Sequence, residues 1–258
     1  MKRLLEHTQR YPAWQAQDVL KLLYQRYLGC GHFAPSEDAA HVRMMQEWEE
    51  VTADASLPLV EALGDGYVRI HLAAAKAAGI SPETLVKLFL ASAHMPTAAA
   101  RETLLQAVHH LNINSLGVDP QEWEALLRDW ESAGMPAVSH SEAYRAAYHP
   151  AYRVVESRFA HWLLPMDWIY KQMQQKPCMT LAIDGRSGSG KSCFAACLTN
   201  AFGASVAHMD DFFLPPELRT PERRARGNVH YERFQEEVLT PLIRGESFAY
   251  RRLSCRQG

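Results

Sequence analysis

No stretch of this chain approaches the ~20 uninterrupted apolar residues that a bilayer span requires, so no membrane segment is expected. The N-terminus, MKRLLEHTQRYPAWQ, lacks the apolar core of a secretory signal. Charge of one sign is also missing: 27 Lys and Arg against 29 Asp and Glu leave a net charge of −2. A general nucleic-acid binder is normally basic, so no nucleic-acid partner is expected. Cysteine is sparse and scattered. Cys30, Cys178, Cys193, Cys197 and Cys255 have neither the even count of a disulfide framework nor the paired C-x-x-C spacing of a zinc site. The twelve histidines include no H-E-x-x-H pair, and adjacent His109 and His110 point in different directions from a helix. These absences point to a reduced, cytoplasmic protein without a metal cage of its own side chains. What is present, 47% hydrophobic and 22% charged residues over 258 positions, suffices for one large domain or two ordinary ones.

The strongest positive signal lies at Leu181-Ala-Ile-Asp184, which reads as a buried strand. Gly185-Arg-Ser-Gly-Ser-Gly-Lys-Ser192 follows and fits G-x-x-x-x-G-K-[ST], the phosphate-binding loop of P-loop NTPases. Glycines let the backbone curl so that successive N–H groups face phosphate oxygens, and the following helix adds its dipole. The expected contacts run along Gly185, Arg186, Ser187, Gly188, Ser189 and Gly190. Lys191 would reach the β- and γ-phosphates of ATP, and Ser192 would offer its hydroxyl to Mg²⁺.

Residues 1–175 read as a run of short helices. Asp18 is expected to cap a helix with Val19, Leu20, Leu22, Leu23 and Tyr27 inward and Gly29 as its stop. Ser36 opens another, with Val42, Met45 and Trp48 inward. Ser81-Pro82, Thr97 and Asp119-Pro120 are further helix starts. Gly64-Asp65-Gly66 reads as a turn, and Tyr67 to Leu72 as a short strand or a helix start. Tyr152 to Phe159 reads as helix, broken at Pro165. Two polar clusters stand out. Lys21 to Gln25 with Gly29-Cys-Gly-His32, and Glu47, Glu61 and Arg69 downstream, either presents His32 to an anion or is a helix cap with a surface histidine. His140 to Arg153, rich in tyrosine, lines a pocket or interface, or packs with its hydroxyls at the surface.

From residue 176 a new fold is expected. After the loop helix, Ala204-Ser-Val-Ala-His-Met209 reads as a second parallel strand ending at Asp210-Asp211. Ligands of open α/β sheets sit at such strand ends, which would place Asp210 beside the γ-phosphate, either as base for an attacking hydroxyl or to help hold Mg²⁺. The basic run Arg219 to Arg226 either closes on substrate or is a solvated face. Asn228 to Leu242 leads into a helix, and Ser247 to Cys255 into a third strand or hairpin arm.

These residues carry a resemblance. Asp184 to Ser192, Met209-Asp-Asp-Phe-Phe-Leu-Pro215, Gly227-Asn-Val-His-Tyr-Glu-Arg-Phe234 and Phe248-Ala-Tyr-Arg-Arg251 resemble bacterial uridine kinase-like proteins, within the uridine, pantothenate and phosphoribulose kinase group. The resemblance covers about residues 178–258. It implies an α/β P-loop domain with a parallel sheet over 176–258, behind a mainly α domain over 1–175. It also implies Asp210 as base or orienter of the acceptor. Asp211, His230, Tyr231, Arg233 and Tyr250 would be acceptor contacts, with His230 where the group carries an aspartate. Members continue past this point with further strands and a lid arginine, so the chain is expected to be truncated. The function implied is ATP- and Mg²⁺-dependent phosphoryl transfer to a small-molecule hydroxyl, a nucleoside first, with a homo-oligomer compatible. The alternative is an ATP-binding regulatory or interaction protein without turnover. A GTPase or transporter ATPase is disfavoured, because neither N-K-x-D nor L-S-G-G-Q occurs.

Overall fold

The computed structural model describes residues 2–30, 36–64, 66–176, 178–225 and 227–252. It divides into two compact units, Met1–Gly203 and Ala204–Gly258.

The first unit is built from helices around one small sheet. Its helices are α1 (Lys2–Arg10), α2 (Ala16–Leu28), α3 (Glu37–Glu50), α4 (Leu72–Ala77), α5 (Pro82–Ser92), α6 (Ala98–His109) and α7 (Pro120–Ser132), followed by α8 (Glu142–Tyr148), α9 (Ser157–His161), α10 (Leu163–Met173) and α11 (Lys191–Phe202). The strands are β1 (Val60–Gly64), β2 (Tyr67–His71) and β3 (Tyr152–Glu156), in the order β1-β2-β3 with both pairs antiparallel. The capping residues act as their chemistry dictates. Ser36, Ser81 and Thr97 accept backbone N–H bonds from Ala39, Thr84 and Ala100, and Asp119 accepts from Gln121 at 2.7 Å. Helix α2 is the central element, with Val19, Leu20, Leu22, Leu23, Tyr24 and Leu28 all buried. Each buried leucine contributes about 1.5–3 kcal/mol of transfer free energy. It ends at Gly29, whose positive φ is needed and whose missing Cβ would lie 2.6 Å from the Tyr67 ring.

Several expectations are corrected. Asp18 lies inside α2 rather than at its cap: Gln15 is the cap, and the Asp18 carboxylate reaches back to the Gln15 N–H at 3.0 Å. Helix α3 buries Ala40 and Met44, while Val42 is exposed. Tyr152 to Glu156 is strand, not helix, since Val154 and Val155 pair with Arg69 and Val68 of β2. Branched side chains gain more on a paired, half-buried sheet than in a helix. Pro165 stands in the first turn of α10, where its missing N–H costs nothing. Asp65, Cys255 and His32 lie outside the described residues.

The largest correction concerns the fold class. The parallel sheet of a P-loop NTPase is not what residues 176–258 form. Residues 178–184 and 203–208 are irregular, as are 246–252. Among the described residues the sole sheet is the antiparallel β1-β2-β3 of the first unit. An extended segment is a strand only when a neighbour satisfies its N–H and C=O groups. Leu181, assigned to a buried strand, is instead exposed.

The second unit consists of short turns. Met209–Phe212 and Pro216–Leu218 are 3₁₀ turns, and α12 (Pro221–Ala225), α13 (Tyr231–Phe234) and α14 (Thr240–Arg244) are single-turn helices. A wide turn over Gln235–Leu239 joins the last two, just before Pro241 removes a donor. Phe212 and Leu214 form its centre, with Val238. Among the described residues no helix is long and apolar enough to cross a membrane.

Candidate functional site

The phosphate-loop residues stay together in the first unit as an exposed turn. Asp184 accepts the Gly185 N–H at 2.7 Å, and the Ser189 N–H donates to the Arg186 carbonyl at 3.2 Å. Gly188 and Gly190 have φ of 76° and 87°, which side chains rarely adopt. Helix α11, twelve residues long, starts at Lys191, so its first N–H groups and dipole open onto the loop. The Lys191 ammonium donates to the carbonyls of Gly185 at 2.6 Å and Arg186 at 3.0 Å. The donor set therefore fits a phosphate chain: exposed backbone donors, a helix N-terminus and one ammonium group. Ser192, exposed at the same helix start, has the hydroxyl that Mg²⁺ on a triphosphate would use. Among the described residues no group of three His, Cys, Asp or Glu could hold a metal.

Most of the expected acceptor residues gather in the second unit around Phe212. The backbone pairs Phe213 with Val229, and the His230 N–H donates to the Phe212 carbonyl at 2.6 Å. Tyr250 donates its hydroxyl to Asp211 at 3.2 Å, and its ring lies 4.9 Å from that of Phe212. The Arg233 guanidinium covers the Phe212 ring at 4.6 Å, donates to the Asp211 carbonyl at 3.4 Å, and pairs with Glu237 at 2.9 Å. It also donates to the Arg251 carbonyl. His230 caps α13, accepting the Arg233 N–H at 3.2 Å. Tyr231 and Asp210 are both exposed, Asp210 within the 3₁₀ turn beside Asp211. In the basic run, Arg219 donates to the Leu214 carbonyl and Arg223 pairs with Glu232.

A second polar assembly lies inside the helical unit, and the two clusters noted separately in the sequence meet in it. The β1–β2 register puts Glu61 opposite Arg69, and β3 puts Tyr152 opposite His71. Glu61 Oε1 accepts from His7 Nδ1 at 3.2 Å, and Oε2 faces His71 Nε2 at 3.2 Å and Arg69 at 3.5 Å. Burial alone would raise the Glu61 pKa, but the hydrogen bonds from the two histidines and the Arg69 charge hold it far below the usual carboxylate range. His7 faces Arg69 through Nε2 at 3.5 Å. An arginine can only donate, so Nε2 is the acceptor and Nδ1 carries the proton. Burial lowers the His7 pKa, in keeping with that neutral ring.

From Arg69, which is 1% exposed, a directed chain of hydrogen bonds crosses the core. Arg69 Nε and Nη2 donate to Gln25 Oε1 at 3.0 and 2.7 Å. Gln25 Nε2 donates to the Tyr152 hydroxyl at 3.1 Å, and Tyr152 lies 2.6 Å from His140 Nε2. His140 Nδ1 lies 2.8 Å from Asp18 Oδ1. Asp18 also accepts from Ser141 N at 3.1 Å and Ser141 Oγ at 2.6 Å. With a carboxylate on Nδ1, that nitrogen holds the His140 proton and Nε2 accepts from tyrosine. Every donor thus points the same way, from the buried cation to the buried anion, which polarises the chain cooperatively. Burial takes the His140 pKa down to about 4 despite Asp18. Lys21 joins from the same helix face, donating to the Val138 carbonyl at 2.8 Å, and burial lowers it to about 8.

The tyrosines are therefore not arranged with their hydroxyls at the surface. Tyr144 is buried and stacks on His140 at 4.1 Å, and the Tyr148 hydroxyl accepts the Ala13 N–H. The residues that sequence reasoning left out are His7, His71 and the inward role of Asp18. The available signal was the spacing of Asp18, Lys21 and Gln25 along one face of α2. Comparison with known protein families, with curated proteins and with solved structures finds no match to this chain.

Proposed function

We propose that the chain binds Mg-ATP through Gly185–Ser192 and transfers its γ-phosphoryl group to a hydroxyl of a small molecule, a nucleoside being the first candidate. The single observation that carries this is the loop itself: glycine turns at Gly188 and Gly190, an ammonium group at Lys191 resting on loop carbonyls, and a helix beginning there. Mg-ATP, when bound, supplies the phosphoryl group. Lys191 offsets the negative charge of the β- and γ-phosphates, and the loop N–H groups orient them. Ser192 offers its hydroxyl to the metal. Asp210 takes the proton of the acceptor hydroxyl. Asp211, His230, Tyr231, Arg233 and Tyr250 contact the acceptor. This reading places the protein in the cytoplasm, with a small-molecule acceptor, no nucleic-acid or membrane partner, and a homo-oligomer compatible.

A second reading, an ATP-binding regulatory or interaction protein without turnover, is favoured by the irregular, largely exposed backbone over 178–184 that leads into the loop. Phosphoryl transfer from ATP to a panel of nucleosides, pantothenate and sugars separates the two. Transfer to one acceptor class, lost in Asp210→Asn while Mg-ATP still binds, supports the kinase. ATP binding with no transfer to any of them leaves the regulatory reading. Equal loss of ATP binding in Asp210→Asn and Lys191→Ala contradicts the role given to Asp210.

A further inference from the structure

The phosphate loop makes one approach to the helical body that the phosphate-binding reading does not use. A Cβ at Gly190 would lie 3.4 Å from Cζ2 of Trp162, so the indole sits against the loop where it enters α11. The same ring packs on Phe194, one turn into that helix, with centroids 4.7 Å apart at 32°. Trp162 is the one-residue joint between α9 and α10. Its N–H donates to Phe159 and its carbonyl accepts from Met166, so both neighbouring helices pin its backbone. Those helices are anchored by Phe159, Leu163 and Met166, all fully buried. Helix α11 is tied to the same region a second time, where Cys197 Sγ approaches the Arg158 carbonyl at 3.9 Å. Its Tyr170–Phe202 ring contact adds a third tie at 6.0 Å.

We propose that Trp162 is a positioning residue for the phosphate loop. The rigidly mounted ring sets the backbone at Gly190 and so holds the loop ready for a nucleoside polyphosphate. The inference rests on the phosphate-binding reading, but its physical content is a loop ordered before any ligand arrives. An exposed glycine-rich turn would otherwise sample many conformations, and restricting it in advance removes part of the ordering cost of binding.

The chain of residues 1–258 is tested as wild type, Trp162→Leu, Trp162→Phe and Trp168→Ala, the last an exposed tryptophan on α10. Two readouts are taken: Mg-ATP affinity by calorimetry, and the rate of tryptic cleavage after Arg186 and Lys191 without nucleotide, with thermal unfolding as the fold control. Trp162→Leu should weaken Mg-ATP by about tenfold and speed cleavage at those two sites, with Trp162→Phe restoring most of both and Trp168→Ala matching wild type. A leucine variant that binds and is cleaved as wild type overturns the proposal. So does one that no longer folds, since the ring would then belong to the core of the helical unit. If wild type binds no Mg-ATP, the phosphate-binding reading falls, and the cleavage rates alone decide on Trp162.

Discussion

The glycine-rich loop at 185–192 and the buried Arg69-to-Asp18 chain are opposite ways of arranging polar groups in one unit. The loop is exposed, and its hydrogen bonds join residues no more than six positions apart. The buried chain joins Arg69 to Gln25, Gln25 to Tyr152 and Asp18 to His140, spanning 44, 127 and 122 positions. A loop of the first kind leaves its donors for a ligand and adds little to stability. A network of the second kind is satisfied internally, and each member depends on the rest. Losing one partner there strands another in a low-dielectric interior.

That contrast can be broken most forcefully at Arg69. Arg69→Ala leaves Glu61 buried beside two histidines and takes both donors from Gln25. Denaturant unfolding should show a loss of about 3–5 kcal/mol, and Arg69→Lys should recover little because a single ammonium cannot reproduce the two-pronged contact. A loss below that of an ordinary surface substitution would mean that Glu61 does not depend on Arg69.

The next effect is on pH dependence. His140 is held at about 4 in the folded chain against an ordinary value of 6.5. Its unfolded form therefore binds the proton first, and stability is full above about pH 6.5 and falls as pH drops toward 4. One such proton corresponds to a slope of about 1.4 kcal/mol per pH unit over that window. His7, also lowered by burial, acts in the same direction, and Glu61 and Asp18, both depressed, extend the loss to lower pH. Stability measured between pH 7 and 4 should show the slope in wild type, and His140→Gln should be flatter by about one proton. An unchanged slope would remove His140 from the explanation.

The smallest stability effect should come from the loop. Lys191→Ala should move thermal unfolding by no more than about 0.5 kcal/mol, since the side chain bonds only to its own exposed loop. The same variant should weaken Mg-ATP by at least about tenfold, as expected on losing a charge-assisted contact to phosphate. A variant that is destabilised and still binds ATP would reverse the contrast.

What was legible in the sequence follows the same division. The caps at Ser81, Thr97 and Asp119 and the stop at Gly29 were readable because each depends on neighbours within about four positions. The glycine turns at Gly188 and Gly190 were readable for that reason too. The strand at Tyr152 to Glu156 was not, because its apolar pattern also suits a helix and only pairing with β2 decides it. The predicted strands at 181–184 and 204–209 failed on the opposite side of the same rule: their composition was right, but no neighbour among the described residues supplies a ladder. The polar clusters were seen as fragments. Lys21, Gln25, Glu61 and Arg69 were grouped, as were His140, Tyr144 and Tyr152, yet nothing local says that Tyr152 meets Gln25.

The sequence by itself determined the local devices: where helices start and stop, and which turns require glycine. Only the tertiary structure decided which extended segments become strands, where Trp162 comes to rest, and that Glu61, Arg69, Gln25, Tyr152, His140 and Asp18 from distant segments share one interior. Those outcomes depend on partners brought together by burial of the surrounding helices, and the free energy of a buried hydrogen bond exists only once both partners have left water.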